Sequence, residues 1–321
     1  MSAHKPIVVV GSINTDLVAV TKRIPVVGET VIGSDFQIHP GGKGANQAVA
    51  IAQLGYPVRL IGRLGTDSFG AELRTSLTNA GVDIGGVSIS DGTSGVAVIV
   101  VSERGDNSIV LAPGANAKVT PADLDANISI LRSAGLVMAQ LEIPLETVEY
   151  LARVCAREGV PLILDPAPAL ELPPDIFKNI AWFTPNQTEA TFYLGDELFD
   201  QRAHSPAEVA AAFLSKGCQG VILKMGADGI FLASKGGESS FVPAFPVDAV
   251  DTTAAGDAFN AGFATGLMLG KSPLDSAVFA AAVAAISVTR AGAQPSMPSM
   301  VEVGEFIRSG SLQAESGVAP G

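Results

Sequence analysis

The chain has 321 residues, of which 47% are hydrophobic and only 16% charged, a composition that argues against disorder and fits a globular protein with a large core. A formal net charge of −12 argues against nucleic acid or an anionic membrane as the main partner, since a phosphate-rich surface repels such a chain. Two isolated cysteines, Cys155 and Cys218, make neither a disulfide framework nor a zinc site. No apolar run reaches the length of a membrane span, and the N-terminal run over 7–10 is too short for a signal peptide, so the sequence reads as cytoplasmic.

Taken in chain order, residues 7–10 are a short apolar run that stops at Gly11-Ser12, which predicts a buried strand. Residues 16–38 carry Pro25, Gly28 and Gly33 and two β-rich pieces, so strands and turns are expected there. Helical periodicity covers 43–54 and ends at Gly55. A strand at 58–61 and a helix at 68–80, stopped by Gly81, follow. Residues 95–101 and 107–111 read as a hairpin turning at 103–106. Strands at 136–139, 161–165 and 182–184 then alternate with helices at 144–157 and from 187 onward. A helix at 206–216 precedes strands at 220–224 and 229–233. Two apolar helices, 255–269 and 273–288, and a short one at 300–307 complete the pattern, and the tail 309–321 is expected to be disordered. Strand–helix alternation predicts an α/β fold over residues 1–308, a single domain with a mainly parallel sheet flanked by helices. The β-rich pieces at 16–38 and 95–111 predict a second, small sheet at the strand ends, where open α/β folds bind ligands.

Four segments carry candidate chemistry. In Asp251-Thr252-Thr253-Ala254-Ala255-Gly256-Asp257, small residues lead into an apolar helix, so the N–H groups of Ala255, Gly256 and Asp257 should be free to bind an anion. Asp257 in the first turn is the candidate base, and the helix dipole should favour its ionised form. A plain helix-capping role for Asp257 is the structural alternative. Gly41-Gly42-Lys43-Gly44-Ala45-Asn46 offers open backbone followed by polar side chains for hydroxyls or phosphate, or else a simple glycine turn. Asn14 and Asp16 share one face of a strand, as two hydroxyl-binding side chains would. Asn186 and Glu189 share one face at a helix start, suited either to organising water around Mg²⁺ or to capping. Asp251 and the irregular turn 290–296 could place a carboxylate and carbonyl oxygens around a cation; an Asp251–Arg290 ion pair is the alternative. His4, His39 and His204 form no metal or triad spacing.

In order and context these segments resemble the ribokinase-like, or pfkB, family of carbohydrate kinases. The early signature is matched by Gly41-Gly42, Asn46, Ala48 and Leu54-Gly55, the late one by Asp251-Thr252 and Ala255-Gly256-Asp257, and the intermediate one by Asn186 and Glu189. Segments such as Pro113-Gly114-Ala115-Asn116, Gln140-Leu141-Glu142 and Asp165-Pro166-Ala167-Pro168 are similar to those of ribose-specific members. The resemblance implies ATP-dependent phosphorylation of D-ribose at its 5-hydroxyl, with the small sheet acting as a lid and as a homodimer interface. It implies that Asn14, Asp16, Gly42, Lys43, Asn46 and Glu142 hold the sugar, that Ala254 to Asp257 form the anion hole and that Asp257 is the base. It implies nucleotide contacts at Asn186, Lys224, Gly226, Gly229 and Gly256, and Mg²⁺ near Glu189. It further implies a K⁺ site from Asp251, Thr253, Ser287, Arg290, Gly292 and Ser296. Lys224 departs from the threonine usual in ribose-specific members. The alternatives are another sugar or nucleoside kinase of the family, for example one for deoxyribose, and a sugar-binding protein without catalysis.

Overall fold

Strand β1 (Ile7–Val10) is buried at every position. Ile7 and Val9 enter one hydrophobic core and Val8 and Val10 another, because successive side chains point to opposite faces. A strand covered on both faces has to be apolar throughout, and that is what a parallel sheet between two helical layers requires. The computed structural model describes residues 4–195, 205–237 and 239–316; His204 lies outside them.

Among the described residues the main sheet has nine strands. Their order is β13 (Ser240–Val242), β12 (Ile230–Ser234), β11 (Gly220–Lys224), β10 (Trp182–Phe183), β9 (Leu162–Leu164), β8 (Leu136–Ala139), β1, β4 (Val58–Gly65) and β5 (Asp83–Ser90). Pairing is parallel from β11 through β5, and only β12 is reversed, pairing antiparallel with β11 on one side and with the edge strand β13 on the other. One face is covered by α1 (Lys43–Gln53), α2 (Ser68–Asn79), α8 (Ala255–Met268) and α9 (Pro273–Ser287), with α10 (Met300–Ser316) beyond them. The other face carries α3 (Pro121–Ala126), α4 (Ile128–Ser133), α5 (Leu145–Glu158), α6 (Gln187–Leu194) and α7 (Pro206–Lys216).

The second sheet has the order β3 (Asp35–Gly41), β2 (Asn14–Thr21), β6 (Gly95–Ser102) and β7 (Asn107–Ala112). The hairpin expected around 103–106 is present as the antiparallel β6–β7 pair. Cross-strand register divides this sheet into two faces. Asp16, Ala97 and Leu111 fall in one row, and Ile38, Leu17, Val98 and Val110 in the next, on the opposite face.

Several elements differ from the sequence expectation. Strands β5 and β13 and helices α3 and α4 were not foreseen, the first because Gly85-Gly86 interrupts its apolar pattern. The last helix continues through Ser316, so the tail expected to be disordered from 309 is helical over much of its length; 317–321 lie outside the described residues. The Gly/Ser content that suggested a stop is tolerated in the helix at a modest propensity cost.

Candidate active site

The site forms where the parallel strands end at their carboxyl edge. Asn14 follows β1, Glu142 follows β8, Asp165 follows β9, Asn186 follows β10 and Lys224 ends β11. These residues, with Asp16, Gly42, Lys43, Asn46, Glu189, Gly226 and residues 252–257, line a cleft of about 710 Å³. Its roof is the inner row of the small sheet, including Ala97, Ile99, Ile109 and Leu111. Topology therefore gathers residues from both ends of the chain into one concavity.

Helix α1 starts at Gly42, whose φ of 89° lies in the left-handed region. A Cβ there would stand 2.6 Å from the Asn14 backbone nitrogen, so only glycine lets the helix start approach β2. The Glu142 carboxylate organises this corner by accepting from Ser12 Oγ, from the Lys43 backbone N–H at 3.2 Å and from Asn14 Nδ2 at 3.5 Å. Asn116, to which the sequence reading gave no role, donates to Asn14 Oδ1 at 2.6 Å while its own oxygen accepts from the Ile13 N–H at 3.0 Å. Its signal was its place in the Pro113–Asn116 turn.

Asp257 is buried in the first turn of α8. Its Oδ2 accepts from Asn46 Nδ2 at 3.0 Å and its Oδ1 from Gln47 Nε2 at 3.0 Å. The helix start was expected to favour the ionised form. The groups packed around Asp257 act on it as well: desolvation raises the pKa, Lys43 opposes the rise, Asp165 adds to it, and Asn46 and Gln47 partly offset it, leaving it raised. Asp16 is pushed up to about 7 by burial, with Glu142 and Asp257 adding to the shift and Lys43 opposing it. For Lys43, burial favours the neutral form, but the surrounding Asp257, Asp165, Glu142 and Glu189 more than compensate and its pKa is raised.

The anion cradle differs in one donor from the expectation. Ala254 caps the helix in the left-handed region at φ 59°, and the Ala255 N–H is taken by the Thr252 carbonyl at 3.2 Å. The N–H groups of Ala254, Gly256 and Asp257 remain without a partner among the described residues and line the cleft. Lys224 adds a cation there: its Nζ lies 3.5 Å from where a Gly256 Cβ would stand, while it pairs with Asp165 Oδ1 at 2.9 Å.

Asn186 and Glu189 do line the cleft, and they also form a reciprocal cap. The Asn186 N–H and Nδ2 donate to the two Glu189 carboxylate oxygens at 2.8 and 2.9 Å, and the Glu189 N–H donates back at 2.8 Å. Burial raises the Glu189 pKa, with Lys224 opposing and Asp165 adding. Gly226 lines the cleft, but Gly229 does not; a side chain at Gly229 would meet the Val242 carbonyl at 2.2 Å, so its role is to let β13 pack. Behind the cradle, Asp251 accepts from the Thr253 N–H at 2.9 Å and the Gly292 N–H at 2.8 Å. Burial works against its ionisation, yet these contacts dominate and its pKa is lowered. Arg290 pairs with Glu302, not with Asp251, so the anticipated ion pair is absent. Ser296 Oγ donates to the Ala293 carbonyl at 2.8 Å.

A buried carboxylate beside open N–H groups at a helix start and a lysine ammonium, in a cleft that also holds Asn14, Asp16, Asn46 and Glu142, has the parts of an α/β phosphotransferase acting on a small hydroxylated molecule. The chain belongs to the pfkB family of carbohydrate kinases, whose model matches residues 4–300. It is 40% identical over 305 residues to the ribokinase of Haemophilus influenzae, covering 95% of this chain and 99% of that one. It is 42% identical over 311 residues to the ribokinase of Schizosaccharomyces pombe, covering 92% and 96% respectively. The Arabidopsis thaliana ribokinase, solved in complex with ribose and ATP, superposes with a TM-score of 0.86 at 35% identity, covering 95% of this chain and 99% of that one.

Proposed function

We propose that the chain transfers the γ-phosphoryl group of ATP to the 5-hydroxyl of D-ribose, with Asp257 as general base. The observation that carries this reading is the position of Asp257: its carboxylate touches the sugar-side residue Asn46 at 3.0 Å and its own backbone N–H opens onto the anion cradle. One residue therefore borders both reactants. Asn14, Asp16, Lys43, Asn46 and Glu142, with the backbone at Gly42, hold the sugar hydroxyls. Asp257 takes the proton of the attacking hydroxyl, whose oxygen then bonds to the γ-phosphorus as the bond to the β-phosphate oxygen breaks. The N–H groups of Gly256 and Asp257, the α8 dipole and the Lys224 ammonium meet the transferring charge. Asn186 and Gly226 border the nucleotide.

Among the described residues, no group of three or more His, Cys, Asp or Glu side chains could hold a metal ion. That suits Mg²⁺ carried mainly by phosphate and water, with Glu189 and Asn186 reaching it through water, since their oxygens already serve the cap. Bound there, the ion would neutralise phosphate charge. A K⁺ ion fits the region where Asp251 joins residues 287–292. The chain supplies hard oxygen donors from Asp251, Thr253, Ser287, Arg290, Gly292 and Ser296, and Arg290 does not compete for Asp251. Such an ion would brace the cradle without touching substrate. The exposed outer row of the small sheet, Ile38, Val98 and Val110, supports a homodimer through the lid. Use of ATP and two buried free thiols support a cytoplasmic location; among the described residues no helix is long and apolar enough to cross a membrane.

The test is Asp257→Asn, which keeps size and most hydrogen bonding but cannot accept the proton. Turnover with ribose and ATP should fall by roughly 10²–10⁴ with ribose affinity retained. Near-normal turnover removes the assignment.

A further inference from the structure

Gln47 is fully buried one residue beyond Asn46 on α1, and the reaction above gives it no part. Its Nε2 donates to Asp257 Oδ1 at 3.0 Å and to Asp165 Oδ2 at 3.1 Å, while its Oε1 accepts from Gln140 Nε2 at 2.6 Å. Ionised carboxylates only accept, so the amide nitrogen has to face the two acids and the oxygen has to face Gln140. Both amide hydrogens are thereby spent on two buried acidic groups that repel each other.

Charged groups face this pair from every side. Lys43 comes from α1 itself, Asp16 from β2, Glu142 from the end of β8 and Glu189 from α6. Lys224 from β11 binds the far oxygen of Asp165 at 2.9 Å. The cation that borders the anion cradle is thus joined to Asp257 through Asp165 and Gln47 in one continuous set of hydrogen bonds.

We propose that Gln47 is a positioning residue that shares one amide group between Asp257 and Asp165, holding Asp257 ionised and aimed at the sugar hydroxyl. The inference rests on Asp257 being the base. The physical reason is that burial and a neighbouring carboxylate both favour the protonated acid, which cannot accept a proton, whereas a donor to the ionised form restores it. Burial and Asp165 do raise the proton affinity of Asp257, and Asn46 and Gln47 counter them. Gln140 Nε2 donates to the amide oxygen of Gln47 and so completes the orientation that the two acids impose.

The experiment is the pH profile of kcat at saturating ribose and ATP, where Asp16 is already engaged by sugar. Activity is lost as pH falls through the pKa of the base. Gln47→Met keeps the shape but removes the donor, so the acid limb should move to higher pH by about one unit. Asp165→Asn removes the opposing charge, so the limb should move the other way. A role in packing alone would lower kcat or Tm at every pH and leave the limb in place. An unmoved limb in Gln47→Met, or shifts of the same sign in both variants, overturns the proposal. If Gln47→Met does not fold, Gln47→Asn decides: it keeps a buried amide one methylene short of the two acids, and an upward shift supports the proposal while an unmoved limb overturns it. Asp257→Asn separates the two levels. Near-normal turnover there would remove the base itself, whereas an inactive Asp257→Asn with an unmoved limb in Gln47→Met removes only the role of Gln47.

Discussion

The two sheets of this molecule are built on opposite terms. In the nine-stranded floor, β1, β8 and β9 are buried at every position between two helical layers. In the four-stranded lid, β7 is exposed along its whole length and β3 over most of its residues. Asp165 at the end of β9, Lys224 at the end of β11 and Asp257 on α8 are held in relation by hydrogen bonds from Lys224 to Asp165 and from Gln47 to both acids. The lid has no core of its own; one face looks into the cleft and the other, with Val110 65% exposed, faces outward. The buried polar cluster sits at the edge of the sheet that packing covers on both faces, and the cleft above it is roofed by the sheet that packing leaves bare.

The sharpest test of that contrast is stability. Phe263 on α8 is fully buried and packs edge-on against Trp182 with ring centroids 5.0 Å apart. Phe263→Ala should cost about 3–5 kcal/mol in urea unfolding. Val110→Asp on the outer lid face should stay within about 0.5 kcal/mol for the folded subunit, yet yield a monomer by light scattering at micromolar concentration. Comparable losses of stability from both variants would break the comparison.

A smaller effect is expected where the lid touches substrate. Asp16→Ala should cost about 2–4 kcal/mol in kcat/KM for ribose, and less for 2-deoxyribose, which offers one hydroxyl fewer. Equal losses for the two sugars would place Asp16 away from the vicinal diol. The same residue gives a pH signature. With its pKa pushed up to about 7 in the free protein, Asp16 has to lose a proton before it can accept from two hydroxyls. Ribose affinity should therefore weaken as pH falls below that value, by at most about tenfold per unit, and calorimetry on Asp16→Asn should show a flat profile.

The smallest effect concerns the loop that braces the floor. Replacing K⁺ by a bulky organic cation at equal ionic strength should lower turnover several-fold, as should Asp251→Ala in K⁺. Unchanged turnover would show that the Asp251 contacts to Thr253 and Gly292 hold the loop unaided.

Much of this was legible in the sequence because it is local. Apolar runs and glycine stops marked most strands and helices from β1 to α9, though not β5, α3, α4 or β13, and small residues before an apolar helix marked Asp257 as a group at a helix start. Asn14 and Asp16 fell on one face of a strand by period alone. What the sequence could not decide were pairings between distant segments. Gln47 meets Asp257 across 210 residues and Asp165 across 118, and Gln294 reaches Asn46 Oδ1 at 3.3 Å across 248. Whether Arg290 met Asp251 or Glu302, and how far burial raises the pKa of Asp257, also depended on the assembled fold. Periodicity and capping are properties of neighbouring residues, so the sequence by itself determined the strongly patterned elements and their order. Desolvation and the choice of hydrogen-bond partner depend on everything packed around a group, and only the tertiary structure decided them.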